Sequence, residues 1–427
     1  MIKRFFGNKT AKNAGWIIGG KIAQMLVNLL VGLLTARYLG PSNYGLINYA
    51  AAYTAFFAAF CTLGINSVLV KEFIDYPGEE GKIIGTALGV RAISSFLSAL
   101  VIVCIVSIAD AGDRTTIAVV ALSSIGMIFH VFEVINPWFQ SRLQSKVTAV
   151  VSLIAYAATA VYKVVLLVLG KDVTWFAFAT SVDYICVGLL LMVAYKKHNG
   201  GRLTFSAEYG RDILRRSCHF ILPALMVSIY GQTDKIMLKH MFGDAEIGFY
   251  STAVSLSSVW CFVLAAIIDS IYPSIMQANR VDEQLFIKRN KQLYAIVFYI
   301  SVFVSLCFVI FGKLAVLIMY GEAYLPAVAP LKIITWYTAF SYLGVARNAW
   351  IVSKNRQKHL IFVYAAAALS NVLLNLMFIP VWGASGAAAA SLAAQIVTTM
   401  VAPFFIKDLR ENSKMMVDAI LLRGIRG

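Results

Sequence analysis

Charged residues interrupt the long apolar stretches of this sequence, and they are the side chains that could bind a charged substrate or an ion. A charge in hydrocarbon costs roughly 3 kcal/mol or more at the centre of a helix, so a chain retains it where it faces a cavity or a partner. Cations outnumber anions seven to four, and an excess of cations around a cavity would suit an anionic substrate. The cations are Lys21, Arg91, Lys163, Lys235, Lys313, Lys332 and Arg347, and the anions are Glu133, Asp183, Asp234 and Asp269.

Five of these cations are candidates for a substrate-binding cavity: Lys21, Arg91, Lys163, Lys235 and Arg347. Lys21 and Arg91 lie about two helical turns inside the apolar stretches, too deep to snorkel easily. The alternative for these two is a buried ion pair with Glu133 or Asp183 that fixes helix packing. Lys313, Lys332 and Arg347 lie near the ends of their stretches, where snorkelling is the alternative.

Three carboxylates, Glu133, Asp183 and Asp234, are candidates for coupling transport to protons or another ion. Asp234 and Lys235 are adjacent and point about 100° apart on a helix, so one can face a cavity while the other pairs sideways. A structural ion pair is the alternative for both. We expect His130 to be a packing histidine, with a proton relay as the alternative.

The elements that must position these residues are transmembrane helices. The chain is 60% apolar and 14% charged, with a mean hydropathy of +0.76, and a soluble domain carries more charge. Apolar runs of about 20 residues predict helices, because the bilayer cannot satisfy an open backbone. Twelve spans are predicted at approximately 13–36, 45–68, 83–108, 116–139, 147–169, 173–195, 220–238, 247–275, 293–319, 327–352, 359–379 and 384–405.

The sequence carries no motif for catalysis. It has no Gly-x-x-x-x-Gly-Lys-Ser/Thr phosphate loop, no His/Glu pair at metal-ligand spacing, and six scattered cysteines without Cys-x-x-Cys spacing. We expect no enzymatic activity, no metal and no cofactor.

Two pairs of similar segments, here called the first and the second echo, indicate an internal repeat. The segment 37–51 reappears at 240–254, with Gly40 on Gly243 and Gly45 on Gly248, and the segment that begins at Trp138 reappears at Trp350. Six spans precede and six follow the longest polar stretch, Lys196–Ser217, so the halves start on the same side and the repeat is parallel. We predict a six-helix lobe at 1–200, a cytoplasmic linker at 201–217, and a second six-helix lobe at 218–427 with a short cytoplasmic tail. The two bundles would flank a central cavity.

Loop charges predict the orientation. One set of alternate loops, together with both termini, holds 26 of the 37 basic residues, whereas the opposite loops hold Arg37, Arg114, Lys171 and Lys239. The excess marks the cytoplasmic side. Both termini are therefore predicted in the cytoplasm, and the net charge of +16 is a topology signal rather than a nucleic-acid footprint.

Three motifs resemble the Wzx-type flippases of bacterial polysaccharide biosynthesis, a branch of the multidrug/oligosaccharidyl-lipid/polysaccharide (MOP) exporter superfamily. The first runs from Arg37-Tyr38-Leu39-Gly40-Pro41 to Gly45, the second is Asp234-Lys235 followed by the segment 247–253, and the third is Lys71-Glu72. The resemblance covers nearly the whole chain. It implies the twelve-helix MATE-like fold with two lobes around a cationic cavity.

The resemblance also implies a substrate and a location. The substrate would be an oligosaccharide on undecaprenyl diphosphate, moved by alternating access to the outer leaflet of the bacterial cytoplasmic membrane for O-antigen, capsule or exopolysaccharide assembly. Lys21, Arg91 and Lys163 would attract the head group. Membrane lipids, a polysaccharide polymerase and a chain-length regulator are implied partners. A cation-coupled multidrug exporter, a lipid II flippase and a membrane scaffold remain alternatives.

Overall fold

A computed structural model describes residues 9–198 and 200–424 of this chain. Within those residues the secondary structure is helical and no strand occurs, which confirms the all-α prediction. The chain divides into two compact units. The first holds the chain up to Leu39 and Leu46–Ser228, and the second holds Gly40–Gly45 and everything after Ile229.

The first unit packs its helices around Trp138 and Phe139, both fully buried. The Trp138 ring makes edge contacts with Phe139 and Tyr195, 4.8 and 4.9 Å between centroids. A 3-10 turn at His130–Val134 joins two of the helices. The helices are α1 Lys9–Thr62, α2 Asn66–Asp75, α3 Glu80–Ala109, α4 Arg114–Phe129, α5 Ile135–Ser141, α6 Ser145–Val168, α7 Val173–Lys197 and the start of α8 Ala207–Phe242.

The second unit has its core around Trp350, Tyr294 and Phe286. A π-helical turn, Val397–Val401, interrupts its last long helix. Its further helices are α9 Asp244–Ser258, α10 Cys261–Val281, α11 Glu283–Met319, α12 Val328–Ile334, α13 Tyr337–Ala346, α14 Asn348–Ser353, α15 Leu360–Ile396, α16 Ala402–Phe405 and α17 Arg410–Ile420, with 3-10 turns at Glu322–Ala327 and Gln357–His359.

Eight helical stretches of the described chain are long and apolar enough to cross a membrane, so this is a multi-pass membrane protein. Two of them, Val27–Asp75 and Gln357–Phe405, run for 49 residues each, over 70 Å if straight and too long for one crossing. Each bends at a glycine with a positive φ, Gly40 or Gly383, and covers two predicted spans. The count of twelve and the boundaries of the lobes stay predictions.

The two segments of the first echo share their backbone shape. Gly40 has φ 72° and ψ 172°, and Gly243 has φ 90° and ψ −173°. Both dihedral pairs lie where residues with a Cβ are strained. The segments also contact each other reciprocally. A Cβ on Gly45 would overlap the carbonyl oxygen of Asp244, and a Cβ on Gly248 would overlap that of Pro41, the residue equivalent to Asp244.

In both segments of the second echo, which begin at Trp138 and Trp350, the helix ends in the same way. Leu143 and Asn355, at equivalent positions, have positive φ values of 55° and 54°. In both segments the N–H of this residue bonds to the carbonyl three residues earlier, and the next N–H bonds to the carbonyl five residues earlier. That pair of bonds is a helix C-cap of the Schellman type.

An ion pair accompanies this cap in each unit. Arg142 contacts Glu80 at 2.8 Å, and Lys354 contacts Glu283 at 2.7 Å. Glu80 and Glu283 begin α3 and α11, and they are separated by the same 203 positions as Gly40 and Gly243. The sequence comparison missed this third correspondence.

The backbone of residues 201–206 lies against α3, although most of these residues are exposed. The Thr204 N–H bonds to the Gly81 carbonyl at 3.3 Å, and the Ser206 N–H bonds to the Thr86 hydroxyl at 3.1 Å. Gly81 and Gly85 leave room for this backbone, which would overlap a Cβ at either position. Helix α8 then starts at Ala207, inside the stretch predicted as a linker.

Buried Glu72 anchors the beginning of α8. Its carboxylate accepts hydrogen bonds from the Tyr209 hydroxyl at 2.6 Å and from Arg216 at 2.5 Å. Burial and the neighbouring carboxylate raise the pKa of the Tyr209 hydroxyl well above its usual range, so this group stays a donor. The start of α8 therefore belongs to the first unit.

Candidate functional site

Arg91 is fully buried in the first unit, and all of its polar contacts there are made with neighbouring helices. Its guanidinium donates to the Asn66 side-chain oxygen at 3.2 Å and to the His130 carbonyl at 3.3 Å, and it lies 2.9 Å from His130 Nδ1. On the other side of the ring, His130 Nε2 lies 3.1 Å from Glu133. A neutral ring with its proton on Nε2 accepts from Arg91 and donates to Glu133.

The 3-10 turn at His130–Val134 makes this arrangement possible, because three residues complete one turn and His130 and Glu133 lie on the same side. The structure therefore links Arg91 to Glu133 through His130, and a direct ion pair with Glu133 or Asp183, the alternative, stays a prediction. A role for Arg91 in lining a cavity stays a prediction. The ring of His130 also packs edge-on against Tyr184, at 5.0 Å between centroids.

Lys163 and Asp183 form the second charged group of this unit. They lie on α6 and α7 and attract each other electrostatically. Thr159, one turn before Lys163, donates to the Asp183 carboxylate at 3.4 Å. Asp183 also interacts with Glu133, so the two charged groups are electrostatically connected. Lys21 lies in α1, and its side chain is outside the described residues.

A polar pocket of about 170 Å³ opens near these groups in the first unit. Gly20 and Gln24 of α1, Asn136 of α5, and Thr148 and Ser152 of α6 are among the residues that line it. None of the described side chains that line it is charged. Sequence reasoning did not find this pocket, because its lining comes from three helices and the described part of that lining contains no ionisable residue.

Asp234 is the buried carboxylate of the second unit, with 3% of its surface exposed. It accepts hydrogen bonds from the hydroxyl of Tyr250, from that of Ser391 at 3.2 Å and from the Lys235 backbone N–H at 2.8 Å. The Lys235 side chain instead donates to Gln232 at 3.3 Å. Tyr250 and Ser391 were missed by sequence reasoning. The sequence did contain a signal for Tyr250. In the first echo the equivalent position holds the apolar Ile47, so the hydroxyl at this position occurs in the second half alone.

A cavity of about 210 Å³ borders Asp234. Tyrosine and serine side chains from α8, α9 and α13 contribute much of its lining, with Asn371 from α15. Asp234 is the one ionisable carboxylate among its described lining residues. A carboxylate among hydroxyl and amide oxygens can bind a proton or a hard cation.

Arg347 is also buried in the second unit, with 3% of its surface exposed. Its guanidinium donates to the carbonyl of Thr398 at 3.3 Å, inside the π-helical turn. Such turns release carbonyls from the regular helical ladder. The predicted binding residues thus fall into separate groups in the two units, and no described cluster of three or more His, Cys, Asp or Glu side chains could hold a metal.

Apolar helices in this arrangement make a fold that solved structures of membrane transporters share. The fold matches the lipid II flippase MurJ in an inward closed conformation with a TM-score of 0.72 and 14% identity, over 95% of this chain and 92% of that one. It matches an inward-facing multidrug resistance MATE family transporter of the MOP superfamily with a TM-score of 0.68 and 16% identity, over 94% and 99%.

The comparison of sequences assigns the chain more specifically than the comparison of folds does. The polysaccharide biosynthesis protein family matches residues 10–279, more than half of the sequence, and this chain belongs to that family. The chain is 23% identical to a putative O-antigen transporter of Escherichia coli (strain K12), over 91% of this chain and 95% of the relative. It is 21% identical to the capsular polysaccharide biosynthesis protein CapF of Staphylococcus aureus, over 93% and 99%.

Proposed function

We propose that this protein translocates an undecaprenyl-diphosphate-linked oligosaccharide from the cytoplasmic to the outer leaflet of the bacterial cytoplasmic membrane. The observation that carries the proposal is membership of the polysaccharide biosynthesis family, with relatives that are similar over nearly their whole length. One relative is named as an O-antigen transporter and the other as a capsular polysaccharide protein. The names of both relatives concern the assembly of surface polysaccharides.

Charged groups within the apolar helices agree with such a substrate. The head group of a lipid diphosphate is anionic, and the chain keeps Lys21, Lys163, Lys235 and Arg347 within its predicted spans. We assign these four to head-group binding. Arg91 is better suited to hold His130 and Glu133 in position, because its described contacts occupy both terminal nitrogens of its guanidinium.

We assign energy coupling to the second unit. Asp234 borders a cavity of about 210 Å³ with hydroxyl groups around it, which suits reversible binding of a proton or a monovalent cation. Glu133 and Asp183 are the further coupling candidates in the first unit. The polymerase and chain-length regulator are partners expected from the resemblance alone.

Deletion of the gene tests the proposal. We expect the lipid-linked glycan to accumulate at the cytoplasmic face and surface polysaccharide to disappear, and a plasmid copy to restore both. Intact surface polysaccharide, with no accumulated lipid-linked glycan, would overturn the proposal.

A cation-coupled drug exporter is the second candidate, favoured by the buried carboxylate in an aromatic cavity and by the fold shared with MATE transporters. In that case deletion leaves glycans normal and raises sensitivity to cationic dyes. Measuring dye sensitivity and surface glycan in the same deletion strain separates the two candidates.

A further inference from the structure

The described residues that line the polar pocket of the first unit offer hydrogen bonds and carry no charge. Asn136 and Ser152 line it, and their side chains make no hydrogen bond to another described residue. Gln24 contributes an amide next to Tyr156, with which it interacts. Amides and hydroxyls carry both donors and acceptors, the combination that matches a ring bearing several hydroxyl groups.

Small residues create the space for this pocket. Gly20 faces Ala149 so closely that a Cβ on the glycine would lie 3.2 Å from the Ala149 Cβ. The volume of about 170 Å³ corresponds to about five or six water molecules at roughly 30 Å³ each, which is the size of one sugar ring. A longer glycan would extend beyond it.

The equivalent positions of the second half share this polarity only in part, since Asn136 and Ser152 fall on the polar residues Asn348 and Tyr364. With the offset of the first echo, Gly20 and Gln24 fall on Pro223 and Val227. With the offset of the second echo, Thr148 and Ala149 fall on Leu360 and Ile361. The polar groups that the first half adds at these positions are therefore those of Gln24 and Thr148, and the small residues Gly20 and Ala149 are replaced by larger ones in the second half.

The position of the pocket fits an early step of transport. Ser145, at the start of α6, lines it, directly after the basic segment that contains Arg142 and is predicted to be cytoplasmic. Lys21, a proposed head-group residue, stands between Gly20 and Gln24 in the sequence. A sugar attached to a diphosphate would need a cation for the diphosphate and, next to it, a neutral polar pocket for the sugar.

We infer that this pocket binds the sugar ring nearest the diphosphate of the lipid-linked glycan, through Gln24, Asn136 and Ser152. The inference rests on the proposed function and makes it more specific. It predicts that the first unit discriminates glycan-bearing lipid from bare lipid, whereas the cations bind both.

The test measures affinity for two probes with the full chain in lipid nanodiscs. One probe is undecaprenyl diphosphate, and the other is the lipid-linked glycan extracted from cells that lack the gene. The variants are Asn136→Ala combined with Ser152→Ala, and Ala149→Ile, which places the second-half residue in the pocket. Asn348→Ala is the matched control, because Asn348 is the exposed second-half equivalent of Asn136.

We expect wild-type protein to bind the glycan-bearing lipid more tightly than the bare lipid. Loss of two neutral hydrogen bonds should weaken glycan-lipid binding roughly five- to thirtyfold, with bare-lipid binding unchanged within about twofold. Ala149→Ile should act in the same way by filling the space, and Asn348→Ala should change neither affinity.

Two results would overturn the inference, and they are distinguishable. If wild-type protein prefers the glycan-bearing lipid and both pocket variants keep that preference while eluting as folded protein, the sugar binds elsewhere and the proposed function stands. If wild-type protein binds neither probe, the proposed function fails and the pocket assignment fails with it.

Discussion

Gly45 and Gly248 each lie against the backbone of the other's segment, and a Cβ on Gly45 would lie 2.8 Å from the Gly248 nitrogen. The contact is reciprocal, because each glycine approaches the carbonyl at the start of the opposite segment. A self-complementary contact of this kind is the geometry of a local two-fold axis. The two glycines therefore fix how closely the segments 41–45 and 244–248, both in the second unit, approach each other.

Gly45→Ala and Gly248→Ala should each destabilise the protein by about 3 kcal/mol, because the obstacle is backbone and cannot rotate away. Thermal unfolding followed by fluorescence-detected size exclusion measures the loss. Gly32→Ala is the control, since nothing lies within 4 Å of a Cβ there and alanine favours a helix. Equal stability of all three variants would contradict the close approach.

Arg91→Ala should lower stability by about 3 kcal/mol, because it removes a buried guanidinium and leaves the half-buried His130 and Glu133 without their cation. The same thermal assay applies. Since Arg91 and His130 share one network, the double variant with His130→Ala should lose less than the sum of the two single losses. Strict additivity, or a stable Arg91→Ala protein that fails only in head-group binding, would instead support a cavity-lining role.

Asp234→Asn should remove the dependence of transport on an imposed ion gradient while the protein still folds, since an amide keeps an acceptor for Tyr250 and Ser391. Transport into proteoliposomes with and without a proton or sodium gradient measures the dependence. Asp269→Asn is the control, because Asp269 is an exposed carboxylate of the same unit. If Asp234→Asn responds to the gradients like wild type, coupling resides elsewhere, with Glu133 and Asp183 as the next candidates.

Glu72→Ala should cost about 3 kcal/mol, because it leaves the Arg216 cation and the Tyr209 hydroxyl without their buried acceptor. Hydrogen exchange at residues 207–216 should rise in parallel. Asp212 bonds the same Arg216 at 2.6 Å but is 57% exposed, so Asp212→Ala should cost at most about 1 kcal/mol. Similar exchange rates in the two variants would show that Glu72 does not anchor α8.

The helical class of the fold and its family could be predicted from the sequence, because hydropathy and the motif around Gly40 act locally. The matching dihedrals of Gly40 and Gly243, and the matching caps at Leu143 and Asn355, support the two echoes. The pairing of Glu80 with Arg142 escaped notice because it joins residues 62 positions apart. No local pattern reports such a contact.

The partners of the buried charges were harder to predict. Arg91 was expected either in a cavity or beside Glu133, and its link through His130 depends on a 3-10 turn that hydropathy does not reveal. The polar composition of Lys196–Ser217 predicted a loop, whereas α8 begins inside this segment at Ala207. Its anchoring depends on Gly81 and Gly85 of α3, whose role emerges only when another backbone lies on them.

The contact between the backbone of residues 201–206 and α3 has a practical consequence for protein engineering. This stretch belongs to the longest polar one in the chain, Lys196–Ser217, and by sequence alone it is the natural place to insert a fluorescent protein or an affinity tag. Its backbone instead fills the space above Gly81 and Gly85, so an insertion there would displace α8 from the first unit. The turn at Gly112, where nothing lies within 4 Å of a Cβ position, is the better site for an added sequence.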